Sequence, residues 1–279
     1  MNPSSEILEI QNRVDTQRIF SEIGSLSTDE LIKKYNTLAW GYINSTEEAA
    51  IEGSIQRLLQ KESLAPLLDL GCGTGRLLIP LSKKIKATGL DFSQTFLDQL
   101  SKEAPEIPLV FGEATKLPFA DESFQSILCV RLIQHLGPAD HTKFFQECRR
   151  VLRPGGVLIV LNYNALSFLT VYKKLCQTAG NLWPHWPLRK WRWQIDDYHF
   201  AWELASLYKK NGFSIVEQSA CTPAEPDLDR FLGIDAWMGR CCRPLQSVYY
   251  RVLSWFNPLG LYFPFSWLFS RVIVVGRKK

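Results

Sequence analysis

A chain of 279 residues, 46% of them hydrophobic, is long enough for one large α/β domain or a core plus insertions. Its net charge of +4 is mild and does not suggest a dedicated nucleic-acid binder, which would be more basic or carry a basic stripe. Its seven cysteines are scattered and free of C-x-x-C pairs. They exclude an ordinary zinc clamp and point to reduced thiols, with Cys129 and Cys148 in apolar surroundings. The first residues lack a basic-then-apolar leader, so a cytoplasmic protein is expected.

Residues 1–62 read as helices with polar breaks. One of them is TDELIKKY, with Thr28 as its N-cap, acids in its first turn and lysines in its last. Strands are expected near 66–70, 86–91, 107–111, 124–130 and 156–162, with helices between them. Leu67–Leu70 has the pattern of a short, fully buried strand. It runs into Gly71, Gly73 and Gly75. Their missing Cβ atoms suit a sharp turn and close approach by a ligand. Arg76 to Lys84 then reads as a helix. Asp91 ends the next strand, twenty residues beyond Gly71. That is the distance at which a βαβ unit delivers a carboxylate to ribose hydroxyls. A dinucleotide fold needs G-x-G-x-x-G, but Arg76 stands where its third glycine would fall, which argues against a nicotinamide dehydrogenase.

Pro138 to Leu152 carries Phe144, Phe145, Cys148, Val151 and Leu152 on one helical face, and Pro154-Gly155-Gly156 supplies the turn into the next strand. Ala201 to Lys210 is amphipathic, with Asn211-Gly212 as its C-cap and FSIVEQS as the strand after it. The final strand is expected at Arg271–Gly276. Alternating strands and helices with short loops predict a parallel, doubly wound sheet.

The G-x-G-x-G turn, with Asp69 two residues before it, resembles motif I of the class I S-adenosylmethionine-dependent methyltransferases. Further segments fall in the family's order. Phe111–Phe119 resembles the third-strand segment, with Glu113 and Ala114 as its acid and alanine. Asp121–Leu136 resembles the fourth strand and its loop, although Gln125 stands where the family often has Asp. Phe144–Val160 resembles the helix, L-x-P-G-G turn and fifth strand. Lys33–Tyr42 resembles the lead helix of the type 11, ubiquinone/menaquinone-methyltransferase-like branch. Beyond about Val160 the likeness is in outline only.

The resemblance implies an α/β fold: a doubly wound, mostly parallel seven-stranded sheet with an antiparallel last strand and helical insertions. It divides the chain into a helical segment, 1–62, covering the active site, and a methyltransferase domain, 63–279, with insertions at about 163–199 and 222–268. It implies S-adenosylmethionine as cofactor. Asp69 would help hold the amino end of the methionine moiety, and Gly71, Gly73 and Gly75 would let the backbone approach it. Asp91 would take the ribose hydroxyls; Phe92, Glu113 and Ala114 would frame the adenine; Arg131 would border the methionine. No Cys/His cluster has metal-ligand spacing, so no catalytic metal is expected.

His135 and His199 are the candidate bases, because either can titrate near neutrality; a structural role for each stays open. His141 is expected to be solvated, and His185 belongs to a Trp-rich insertion. That insertion interleaves Trp183, Trp186, Trp191 and Trp193 with Arg189, Lys190 and Arg192. The second insertion holds an uncharged run, 252–270, between Arg251 and Arg271. Asn257, Pro258, Gly260 and Pro264 break it as a spanning helix. A helical lid, a patch touching a membrane surface and, last, a true span are its three readings. The first functional reading is methyl transfer to a small or lipid-linked acceptor, at oxygen, nitrogen or carbon. An RNA acceptor, prompted by RKWRW, and a catalytically silent cofactor-binding subunit are the alternatives.

Overall fold

The computed structural model describes residues 38–164, 201–221 and 271–279, with side chains of the first stretch described from Ser45 onward. The helix expected from Thr28, both aromatic insertions, His185 and His199 lie outside these residues.

Seven strands form one sheet: β1 (Leu67–Leu70), β2 (Ala87–Asp91), β3 (Leu109–Phe111), β4 (Phe124–Val130), β5 (Leu152–Tyr163), β6 (Phe213–Cys221) and β7 (Arg271–Lys278). Their order is β3-β2-β1-β4-β5-β7-β6. The pairs β1–β2, β1–β4, β2–β3 and β4–β5 are parallel, while β7 is antiparallel to both its neighbours. The described helices are α1 (Leu38–Leu59), α2 (Leu78–Ser82), α3 (Gln94–Glu103), α4 (Pro138–Val151) and α5 (Ala201–Lys210). A 3-10 turn spans Ile133–His135. The winding direction reverses between β1 and β4, so a crevice opens beyond their carboxyl ends, where open α/β sheets bind ligands.

Period-two alternation along the strands builds two cores. Leu67, Leu128, Val157, Ile159, Leu161, Ile273 and Val275 pack with Ile51, Ile55 and Leu58 of α1, Leu78 of α2 and Leu97 of α3. Leu68, Ile127, Cys129, Leu158, Val160, Val272 and Val274 pack with Phe144, Phe145 and Cys148 of α4 and Leu204 and Tyr208 of α5. Every residue of β1 is buried, because strands covered on both faces have no polar side. Further ties fix α1: Arg57 and Ser54 hold Glu217 of β6 at 2.5 Å and 2.8 Å, and Glu52 pairs with Lys84.

Several boundaries differ from the sequence reading; β6, for one, runs on to Cys221, two residues past FSIVEQS. α2 covers only Leu78–Ser82, not Arg76–Lys84. Ile79 N still bonds Gly75 O at 2.9 Å, but Pro80 has no N–H to bond the carbonyl of Arg76, so the ladder is broken by one missing rung and regular helix starts only at Leu78. β5 begins at Leu152 rather than 156: Leu152 pairs with Phe124, and the next pair is Ser126 with Val157. The Pro154-Gly155-Gly156 segment, with Gly155 at φ +74°, is therefore a bulge within the strand. The last strand runs on to Lys278, two residues past Gly276.

Candidate functional site

The loop after β1 is folded tightly against β2. Gly71 N and Cys72 N both donate to Leu90 O, at 2.8 Å and 3.1 Å, and Gly75 N donates to Cys72 O at 2.9 Å. Its three glycines do different work. A Cβ on Gly71 would lie 2.4 Å from Leu132 Cδ1, and one on Gly75 would lie 2.4 Å from Leu100 Cδ1. These two admit packed side chains rather than a ligand. A Cβ on Gly73 would meet nothing within 4 Å. Gly73 alone of the three faces open space, with a left-handed φ of +52° that suits glycine.

Asp91, at the end of β2, closes this turn. Its Oδ2 accepts from Gly73 N at 2.8 Å and its Oδ1 from Ser93 N at 2.9 Å. A carboxylate offers about four lone-pair sites, so it keeps capacity for a further donor. Burial raises the Asp91 carboxyl above its ordinary range, against the pull of the Ser93, Gly73 and Phe92 amides. Asp69 lies inside β1, opposite Gly89 and Leu128, and is only 2% exposed. No hydrogen bond to its carboxyl is formed among the described residues. Burial, then the charge of Asp91, push it up to about 7, while Arg76 opposes the rise.

The other expected cofactor contacts follow the neighbouring strands. Phe92 is half-buried just beyond β2. Glu113, exposed, forms a bridge with Lys116 after β3, and Ala114 beside it is buried. Arg131 is the first residue after β4. Its φ of +54° is left-handed, which costs a non-glycine residue about 1–2 kcal/mol unless its surroundings hold it there. Its N–H donates to Leu161 O at 2.9 Å. Asp69, Gly71, Gly73, Gly75, Asp91, Phe92, Glu113, Ala114 and Arg131 therefore all sit at or just beyond the carboxyl ends of β1 to β4.

The histidines separate. His135 closes the 3-10 turn after β4, with Nε2 3.3 Å from Gln134 Nε2. Gln134 is buried, and its Oε1 has no hydrogen-bond partner among the described residues. His141 is not solvated, contrary to the sequence reading. It is 4% exposed, and its Nε2 lies 3.2 Å from Ile133 O. A carbonyl can only accept, so that nitrogen carries the proton. His141 thus ties α4 to the 3-10 turn.

The sequence reading missed one charged cluster. Glu47 of α1 has a side chain 0% exposed. It faces Arg271 Nε at 3.1 Å, Arg76 Nη2 at 3.1 Å and Arg131 Nε at 3.6 Å. Burial pushes its carboxyl up, but Arg131, Arg271 and Arg76 together hold it below the usual carboxylate range. Arg271 also lies 3.8 Å over the ring of Tyr163. A Thr-Glu-Glu run on a helix reads as a solvated face, and nothing local in sequence marks Glu47 as buried. Its acidic neighbour Glu48 bonds Arg76 at 3.1 Å. Among the described residues, no group of three or more His, Cys, Asp or Glu is placed to hold a metal ion.

Comparisons with known proteins bear on this edge. Residues 67–156 match the family model described as a methyltransferase domain. The demethylmenaquinone methyltransferase of Staphylococcus haemolyticus is 36% identical over 116 residues, covering 38% of this chain and 48% of that protein. A demethylmenaquinone methyltransferase of Staphylococcus aureus is 28% identical over 171 residues, 59% of this chain and 66% of that one. The chain thus spans about half to two thirds of the length of these relatives. A crystal structure of an S-adenosylmethionine-dependent methyltransferase from Thermotoga maritima matches with a TM-score of 0.63 at 21% identity, over 93% of this chain and 100% of that one. The magnesium protoporphyrin IX methyltransferase of Synechocystis, solved with bound S-adenosylhomocysteine, matches with a TM-score of 0.62 at 13% identity, over 96% and 100%. These two structures share the fold.

Proposed function

We propose that this chain, which belongs to the class I S-adenosylmethionine-dependent methyltransferases of the type 11 branch, uses that cofactor to methylate a small organic acceptor. The observation that carries the reading is the pairing of open Gly73 with Asp91. A glycine facing empty space lies beside a buried carboxylate with lone pairs to spare. That pair fits a nucleoside whose ribose presents two adjacent hydroxyls. Asp69 fits the other end of the group: a buried carboxyl without a hydrogen bond among the described residues suits an ammonium. When bound, the cofactor supplies a methyl on a sulfonium, already activated for displacement.

The residues of the chain then have positional roles. Asp91 accepts the ribose hydroxyls while keeping its two amide bonds. Gly73 leaves the room that any side chain would fill. Asp69 takes the amino end, and Phe92, Glu113 and Ala114 border the base. Most of the rate in such a transfer can come from proximity and orientation. A base is needed only where the acceptor must lose a proton. His135, on the turn after β4, is the residue we assign to receive it.

The acceptor we infer is apolar, of quinone or lipid-linked type. The demethylmenaquinone methyltransferase relatives and the aromatic composition of 165–200 and 222–270 support this. The strand ends where those segments leave and rejoin the fold also support it. Tyr163 pairs with Arg271 on one side, and Cys221 pairs with it on the other, at the carboxyl edge beside the cofactor residues. No described helix is long and apolar enough to cross a membrane.

Titration calorimetry with S-adenosylmethionine and S-adenosylhomocysteine tests the first half, and saturable binding of both is expected. Transfer of labelled methyl into an organic extract of cell lipids tests the second. Label found only in RNA would replace the acceptor reading.

A further inference from the structure

We propose that Glu47 is a positioning residue for the cofactor site: one buried carboxylate on α1 sets the spacing of the two loops that flank the crevice. The proposal rests on the methyltransferase reading of that crevice.

The geometry is specific. The loop after β1 ends in Arg76, directly behind Gly75, and Arg76 Nη2 reaches Glu47 at 3.1 Å. The loop after β4 starts at Arg131, whose Nε lies 3.6 Å from the same carboxylate oxygen, Oε2. The two loops are also in contact with each other, because Leu132 packs where Gly71 has no Cβ. The third partner, Arg271, bonds the other oxygen, Oε1, at 3.1 Å and starts β7. Glu47 thus joins a helix, two ligand loops and the first residue of the antiparallel strand.

Two features separate this from an ordinary helix anchor. Arg131 holds a left-handed backbone, which its surroundings must hold in place; Leu161 O anchors its N–H and Glu47 anchors the far end of its side chain. Leu132, the next residue, carries that imposed direction onto Gly71. Second, the carboxylate is 0% exposed and shared among three guanidinium groups. Its removal takes from buried Arg271 the carboxylate it shares with Arg76 and Arg131, and brings three like charges together without it, so the loops that carry Arg76 and Arg131 are expected to shift. Of the other ties of α1, Glu48–Arg76 reaches the same loop but is a partly exposed pair, and Arg57–Glu217 and Lys84–Glu52 are partly exposed pairs away from the crevice; such pairs contribute little.

The test compares Glu47→Gln with Leu58→Ala, which removes a buried α1 side chain from the core without touching the cluster. Full-length proteins are compared by S-adenosylhomocysteine calorimetry, thermal melting and hydrogen–deuterium exchange without ligand. Glu47→Gln is expected to weaken binding by roughly tenfold. It should speed exchange in 71–77 and 131–137 while the central strands stay protected. Leu58→Ala should lower the melting temperature and leave affinity within about twofold of wild type. Unchanged affinity and exchange in a folded Glu47→Gln protein would overturn the proposal, as would an equal loss of affinity in Leu58→Ala. Should Glu47→Gln not fold, Glu47→Asp answers instead. It keeps the charge but withdraws the carboxylate by one methylene, and the same two loops should loosen with weakened binding. Native exchange and affinity in that variant would equally overturn the proposal. If wild type binds no S-adenosylhomocysteine, the functional reading falls and this proposal with it. If wild type binds and the Glu47 variants bind equally, this proposal alone falls.

Discussion

Asp91 and Asp69 are both buried acids, but only Asp91 is satisfied by backbone amides. Replacing Asp91 by Ala removes the acceptor proposed for the ribose hydroxyls and frees Gly73 N–H. Calorimetry with S-adenosylhomocysteine should show binding weakened by about 1–3 kcal/mol, the usual loss for charge-assisted hydrogen bonds. Asp69 adds a pH dependence. Its carboxyl rises from an ordinary 3.8 to about 7 in the folded chain. Between those values the folded state keeps a proton that the unfolded chain has released. The stability this contributes is fully present below pH 3.8 and is lost as pH rises through about 7. A cationic ligand reverses the preference, because it pairs with the ionised form. Affinity should therefore rise several-fold between pH 6 and pH 7.5, and Asp69→Asn should flatten that profile. A wild-type profile as flat as the mutant's would remove Asp69 from the site. These two acids were legible in the sequence because spacing along a βαβ unit is local. Glu47 was not, since its partners stand at 76, 131 and 271 and no window of the chain contains them.

Strand positions followed from hydrophobic runs, because a sheet covered on both faces leaves no polar alternation to misread. The seven strands stand within a few residues of the expected places. Two of the misplaced ends trace to proline and glycine. Pro80 shortens α2, and Gly155 lets β5 bulge and continue back to Leu152. The same physics makes Gly276 a sensitive point. It lies in β7 beneath Tyr208, and an added Cβ would stand 2.2 Å from the ring's Cδ1. Tyr208 cannot yield easily. It is fully buried, its hydroxyl lies 3.2 Å from Leu158 O and 3.0 Å from Val274 O, and its ring packs edge-on against Phe145 at 5.0 Å. Gly276→Ala should therefore cost about 1–3 kcal/mol by overpacking. Thermal melting would read this as a drop of several degrees, with cofactor affinity little changed because the residue is remote from the crevice. A variant that melts like wild type would mean that α5 slides freely on the sheet.

The described elements share one directional logic. α1 precedes β1 and α5 precedes β6, so both helices begin at the carboxyl edge, where β5 and β6 end and β7 begins. The chain therefore departs from the described fold and rejoins it on the side that carries Gly73 and Asp91. The segments that begin and end at this edge are those whose composition is most individual. Their sequence carries no motif that names an acceptor, which is why the cofactor end was legible and the acceptor end was not. The structure also changes the membrane argument. The uncharged run 252–270 is flanked by Arg251 and Arg271, and two flanking cations would favour an anionic surface. Arg271 is 1% exposed and engaged with Glu47, so it is withdrawn from any such surface. Attraction would then rest on Arg251 and on the basic residues near Trp191, together with the aromatic side chains themselves. Binding to vesicles should accordingly depend more on aromatic burial than on charge. We expect flotation with phosphatidylcholine vesicles to approach that with anionic ones at moderate salt. Changing Trp255, Phe263 and Trp267 to Ser should abolish both without altering S-adenosylhomocysteine affinity. Flotation that requires anionic lipid and survives the triple substitution would point to charge instead. The absence of flotation with either lipid would leave the aromatic run to the acceptor alone.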